Sequence, residues 1–169
     1  MGSSVLQDLS PEAAGVLHKR LPTVLQAAEW LRVFSLAQDG ASLRTLYRQC
    51  RSASDTVLFL RTSTGLIMGC YASEPWTPRS RLFGTAQVFV FLLPSPHHPL
   101  QCFPPHPWTS HPPVPKPLYA AEDALAVGGT APRAAIWIDQ NLAEAATAPC
   151  PAFRSPPLDQ GRGEAGVMG

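Results

Sequence analysis

Charge is scarce in this chain: 15% of its 169 residues are Asp, Glu, Lys or Arg, and 13 basic side chains nearly balance 12 acidic ones, for a net charge of +1. A nucleic-acid or acidic-membrane binder shows the opposite, an excess of Lys and Arg clustered on one face. Nucleic acid is therefore excluded as an expected partner. Long apolar runs are missing too, since even residues 88–93 fall far short of the roughly 20 residues that span a bilayer. No membrane insertion is expected. The opening MGSSVLQDLS has neither the basic region nor the apolar stretch of a secretory signal, and Leu6 stands where myristoylation at Gly2 wants Ser or Thr. The C-x-x-C pattern is absent: Cys50, Cys70, Cys102 and Cys150 are widely spaced and read as reduced thiols of a soluble intracellular protein, cytoplasmic, nuclear or organelle-associated. The length suits one domain and excludes a large multidomain enzyme.

What is present falls into blocks. Ser10 as N-cap, Pro11 at the first helical position and Glu12 in the first turn predict a helix over residues 11–19, with Leu9, Ala13, Val16 and Leu17 as its apolar face. Residues 30–36, rich in aromatic and branched side chains, read as a first core strand. Asp39 and Gly40 make a turn. Ser42 then caps a second helix with Leu43, Leu46, Tyr47 and Cys50 at i, i+3, i+4 and i+7, and Arg44, Arg48 and Arg51 on its wet side. Two β-type runs, 56–62 and 66–72, flank Ser63, Thr64 and Gly65 as a hairpin. Residues 86–93 are apolar at nearly every position and read as a central strand covered on both faces.

Composition then changes. Between Pro94 and Pro117, 10 of 24 residues are Pro, a density that no sheet or helix interior tolerates, so this stretch is expected to be a Pro-rich, disordered loop. Folding resumes at residues 125–127, a turn at Gly128 and Gly129, and a strand over 134–139. The last dozen residues are expected to be unfolded.

Several of these residues follow the order of one family's motifs. Leu21, Pro22, Trp30, Phe34, Ser35, Gly40, Ser42, Leu43, Leu46 and Tyr47 match its opening; Gly69, Ser73 and Trp76 its hairpin; Gly84, Thr85, Phe89 and Phe91 its G-T-G-E-x-F-x-F strand. Gly128, Gly129, Ile136, Trp137, Ile138, Asp139 and Leu142, then Cys150 and Phe153, match its closing part. Over residues 4–93 and 124–153 the chain thus resembles the TLDc domain, shared by the oxidation-resistance proteins and by some Rab-GAP-like and nuclear-receptor-coactivator relatives. The resemblance implies an α+β fold with an antiparallel β-sandwich core flanked by helices. One domain, 4–153, would be interrupted by the 94–117 loop and followed by a disordered tail, 154–169.

It also implies a non-enzymatic protein-interaction domain, without a cofactor, that protects against oxidative stress by binding the peripheral sector of the vacuolar proton-pumping ATPase. Gly84, Thr85, Gly128, Gly129 and Asp139 are the motif positions expected near a binding surface. Three departures stand out. Ala86 and Gln87 replace the family's G-E; Trp108 and Thr109 stand alone for its W-T segment; and its closing V-E-x-W strand is absent, since residues 161–166 cannot supply it. An incomplete last strand opens a second reading, a truncated, non-functional or interfering variant. A Cys-dependent peroxide-consuming enzyme is a third.

Other sharp readings weigh less than bland ones. His97, His98, Cys102, His106 and His111 lack the spacing of a known zinc module and read as a solvated loop, so no metal site is expected. The P-x-x-P patterns at 96–99, 104–107 and 112–115 read as linker rather than as an SH3-type ligand, because Lys116 is misplaced to orient one. Cys50 and Cys70 read as buried thiols, leaving Cys150, in an exposed tail, as the redox-sensitive candidate. Trp30, Trp76 and Trp137 read as core, and the glycines as turns. Asp139 reads as a cap for the turn at Asn141.

Overall fold

The computed structural model describes residues 9–95, 97–106 and 116–159, together with the backbone of 165–166. Helix α1 (Pro11–Arg20) starts where Ser10 Oγ accepts from the Ala13 amide at 3.1 Å. A single helical turn, α2 (Leu36–Asp39), and α3 (Leu43–Cys50) follow; Ser42 Oγ accepts from the Thr45 amide. These are the local signals expected of Ser at an N-cap.

Two antiparallel sheets form the body. The first has the order β1 (Thr56–Arg61), β2 (Ile67–Ala72), β3 (Phe89–Leu93) and β4 (Gln101–Phe103). The second runs β5 (Leu118–Ala120), β6 (Ala124–Val127), β7 (Ile136–Asp139), β8 (Glu144–Ala146) and β9 (Ala165–Gly166). Each sheet is a meander, so every neighbour in sequence is a neighbour in space.

Strand alternation sorts the side chains into two cores. Leu60, Met68, Cys70, Val90 and Leu92 face the second sheet's Leu118, Leu125, Val127, Ile136 and Ile138, and α3 joins this core through Leu43, Leu46, Tyr47 and Cys50. The opposite face of the first sheet carries Ile67, Tyr71, Phe89, Phe91 and Leu93, which α1 covers with Ala13 and Leu17. That layering explains why β3 is apolar at every position. The α+β architecture with an antiparallel sandwich and flanking helices is the one the sequence implied.

Four expectations change. Residues 30–36 form no strand: Trp30 is 42% and Leu31 85% exposed, and only Val33, Phe34 and Leu36 pack on the core. The Ser35 amide donates to Asp39 Oδ2 at 2.7 Å and Arg32 to Gln38 Oε1 at 2.6 Å, so the segment closes on its own helical turn instead of on a sheet edge. Inside the Pro-rich stretch, residues 101–103 form β4, paired with β3 as Phe91↔Cys102. They fall within the Pro-free run 100–103, and β4 lies at a sheet edge, where few ladder donors are needed.

The tail from 154 is packed at its start, with Leu158 buried and Ser155 bridged to Cys150. Ala165 and Gly166 pair with Ala145 and Glu144. The last strand is short, as expected of an incomplete one, yet residues 165–166 do supply it, because ladder pairing needs only backbone groups. Finally, Ala86 and Gln87 are exposed turn residues, and the strand begins at Phe89.

Candidate functional site

The segment that joins the long loop to β5, Pro117 and Leu118, organises the rim of the sandwich. Phe83 and Leu118 exchange both backbone hydrogen bonds at 2.9 Å, and the Gly128 amide donates to the Pro117 carbonyl at 2.6 Å. Gly84 (φ 93°) passes so close to Leu118 that a Cβ there would lie 2.9 Å from its Cγ. Gly128 (φ 91°) is tighter, since a Cβ would lie 2.5 Å from Cys150 Sγ and 3.1 Å from the Phe153 ring. Both therefore need glycine for conformation and for space. The structure thus gathers Gly84, Thr85, Gly128 and Gly129 about one short piece of chain, although 40-odd residues separate the two pairs in sequence.

A clamp holds the Gly84 loop. Glu74 Oε1 accepts from the Gly84 amide at 3.0 Å, while Oε2 accepts from Arg79 Nη1 at 2.9 Å. The Arg79 guanidinium lies over the Phe83 ring at 4.2 Å, and its amide donates to the Ala120 carbonyl. Phe83 in turn meets Trp76 edge-on. Thr85 Oγ1 lies 2.8 Å from Ser73 Oγ and also accepts from the Gln87 amide, so this exposed turn is pinned at its root. Glu74 and Arg79 were not singled out from sequence; the only signal was an acid just before Pro75 and Trp76.

Asp139 stands apart. It pairs across from Ala124, at the opposite end of the β6–β7 pair from Val127 and Gly128. Its carboxylate accepts from the amides of Asn141, Ala143 and Glu144 at 3.3, 2.8 and 2.9 Å, which is the turn-capping role.

Three of the thiols are buried, and Cys102 is half-buried. Cys150, expected in an exposed tail, is 2% exposed and its Sγ donates to the Gly128 carbonyl at 3.3 Å, because the Ser155 bridge folds the chain back over it. Burial pushes Cys70 up to about 12 and Cys102 up to about 11, and raises Cys50 as well. Trp76 is buried, Trp137 half-buried and Trp30 exposed, so the reading of all three as core holds fully only for Trp76. His98 Nδ1 lies 2.6 Å from Ser95 Oγ, and the His106 amide donates to the Ala152 carbonyl. Pro96, Pro107, residues 112–115, Trp108, Thr109 and His111 lie outside the described residues. A cavity of about 570 Å³ opens beside β1, walled by Val33, Phe34, Leu58, Leu60, Trp76 and Ile138, and none of the motif residues of the rim lines it.

The profile of the TLDc domain matches residues 7–166. The chain belongs to the TLDc domain family. It is 28% identical over 162 residues to oxidation resistance protein 1 of Schizosaccharomyces pombe, covering 89% of this chain and 81% of that protein. Nuclear receptor coactivator 7 of Homo sapiens is 28% identical over 156 residues, 90% of this chain but 15% of the relative. Human oxidation resistance protein 1 is 29% identical over 149 residues, 86% of this chain and 16% of the relative. The chain thus spans most of the yeast relative and about a sixth of the two human ones.

Proposed function

We propose that this TLDc domain is a non-catalytic docking module that serves oxidative-stress resistance by binding the peripheral sector of the vacuolar proton-pumping ATPase. The observation that carries the reading is the rim: Gly84, Thr85, Gly128 and Gly129 converge on Pro117 and Leu118, and the Glu74–Arg79 clamp holds the exposed 85–87 turn in place. A fixed loop on a packed scaffold suits recognition, since little order has to be gained on binding. The names of the yeast and human relatives, oxidation resistance protein 1, support the physiological side.

Cysteine chemistry fits less well, because a peroxide-reducing thiol works as an accessible thiolate and Cys50 and Cys70 are buried with raised pKa values. The interfering-variant reading rested on a missing last strand, a place that Ala165 and Gly166 take.

The test is a pull-down of the folded chain against the purified peripheral sector. Retention of the sector, weakened at least tenfold by Ala86→Arg or Gln87→Arg in the exposed turn at unchanged melting temperature, is the expected result. No retention by a chain that melts cooperatively overturns the docking reading. Peroxide loss that vanishes on substituting one cysteine overturns the non-catalytic one.

A further inference from the structure

Helix α3 presents a second surface, away from the Gly84–Gly128 rim, that no part of the docking reading uses. Arg44, Arg48 and Arg51 are all exposed, on the side opposite Leu43, Leu46, Tyr47 and Cys50. Their spacing of four and three lines them up in one stripe, roughly 10 Å long at about 1.5 Å per residue. With Tyr47, Thr77 and Pro78 they border a shallow depression of about 550 Å³ that has no acidic side chain in its wall.

Among the described residues none of the three guanidiniums forms an ion pair or hydrogen bond. The nearby acids are engaged elsewhere or stand off. Asp39 accepts from Gln49 Nε2 and the Ser35 amide, and Asp123, which adds a little to the rise that burial imposes on the Tyr47 phenol, pairs with no arginine among the described residues. Arg44 is the costly member, whereas Arg48 in the last turn and Arg51 at the C-cap stand at the end of the helix dipole that favours a cation. Arg44 puts a cation at the positive end of the helix dipole, in a first turn without an acid, and Arg44 and Arg48 repel each other at i, i+4.

We propose that this stripe is a docking surface for an acidic helix of a partner protein, one carrying carboxylates at i, i+4 and i+7. Each carboxylate would meet one guanidinium fork, a geometry that favours arginine over lysine. The charge pattern selects a protein over other polyanions. Nucleic-acid affinity is built from some six to ten phosphate contacts, and an anionic bilayer from about four to eight basic residues, where this stripe offers three on a chain of net charge +1. Among the described residues, the exposed large apolar side chains that could enter a bilayer, Val16, Val24, Trp30 and Leu31, lie on other elements.

The probe is a fluorescent Ala/Gln-based helical peptide with Glu at i, i+4 and i+7, titrated with the full chain at low salt. Binding should fall at least tenfold in R44Q/R48Q/R51Q, which should melt within a few degrees of the wild type, because the relief of repulsion at Arg44 is offset by the loss of two cations at the C-terminal end of the helix. The Arg→Lys triple variant should retain charge yet bind several-fold more weakly, and added salt should weaken the wild-type complex. Equal binding by the Gln variant, or by a peptide with scrambled Glu positions, overturns the proposal. So does tighter binding to a single-stranded DNA 20-mer or to phosphatidylserine vesicles than to the peptide.

Discussion

At Gly128 one methyl group decides whether the rim can close. Its positive φ and the 2.5 Å approach of a Cβ to Cys150 Sγ combine strain with overpacking, so Gly128→Ala should cost about 2–3 kcal/mol in a denaturant titration. Gly129, whose Cβ position is open, should lose less. The thiols give a second check. In the native chain at pH 8 a thiol-specific disulfide reagent should leave Cys50 and Cys70 unmodified and label them on unfolding. Cys70 holds its proton in the fold up to about pH 12, whereas an unfolded thiol loses it near 9. Stability should therefore be undiminished by this group below about pH 9 and fall as pH rises from there toward 12, and Cys70→Ala should flatten that decline. Single residues were legible where their partners are close in sequence. Asp139 capping Asn141 is the clear case. Glu74 was not, because its partner Gly84 is ten residues on, and Cys150 misled because a Pro- and Ala-rich surrounding looks like a tail until Ser155 folds back on it.

Elements with their own punctuation were readable: α1 and α3 from Ser10 and Ser42, the hairpin from Gly65, β3 from its unbroken apolar run. Ser42→Ala should cost about 1 kcal/mol by thermal or chemical denaturation. Residues 30–36 show what composition omits. Aromatic and branched side chains say that a segment could join a ladder, not that an edge will accept it, and here the Ser35–Asp39 bond turns the chain into α2 first. Hydrogen exchange should follow the difference, with amides 30–34 exchanging orders of magnitude faster than those of β2 and β3. Slow exchange across 30–34 would restore the strand. β4 escaped notice because Pro density was averaged over a long window while three Pro-free residues sufficed for pairing.

For the molecule as a whole, the sandwich could be inferred from the family resemblance but not from any local pattern, because facing one sheet with another is a decision no short window records. Both sheets and α3 share the inner core, so tryptophan fluorescence and far-ultraviolet circular dichroism should report one coincident unfolding transition. The order of the strands has a further consequence for synthesis. The first sheet is complete at Phe103, while the strands that cover its inner face run on to residue 146 and close with 165–166. At about 5–20 residues per second the ribosome needs roughly 2–9 s to cross from 103 to 146. For that interval Leu60, Met68, Val90 and Leu92 have no second sheet to face, so the first half of the chain carries an uncovered apolar layer until its second half arrives.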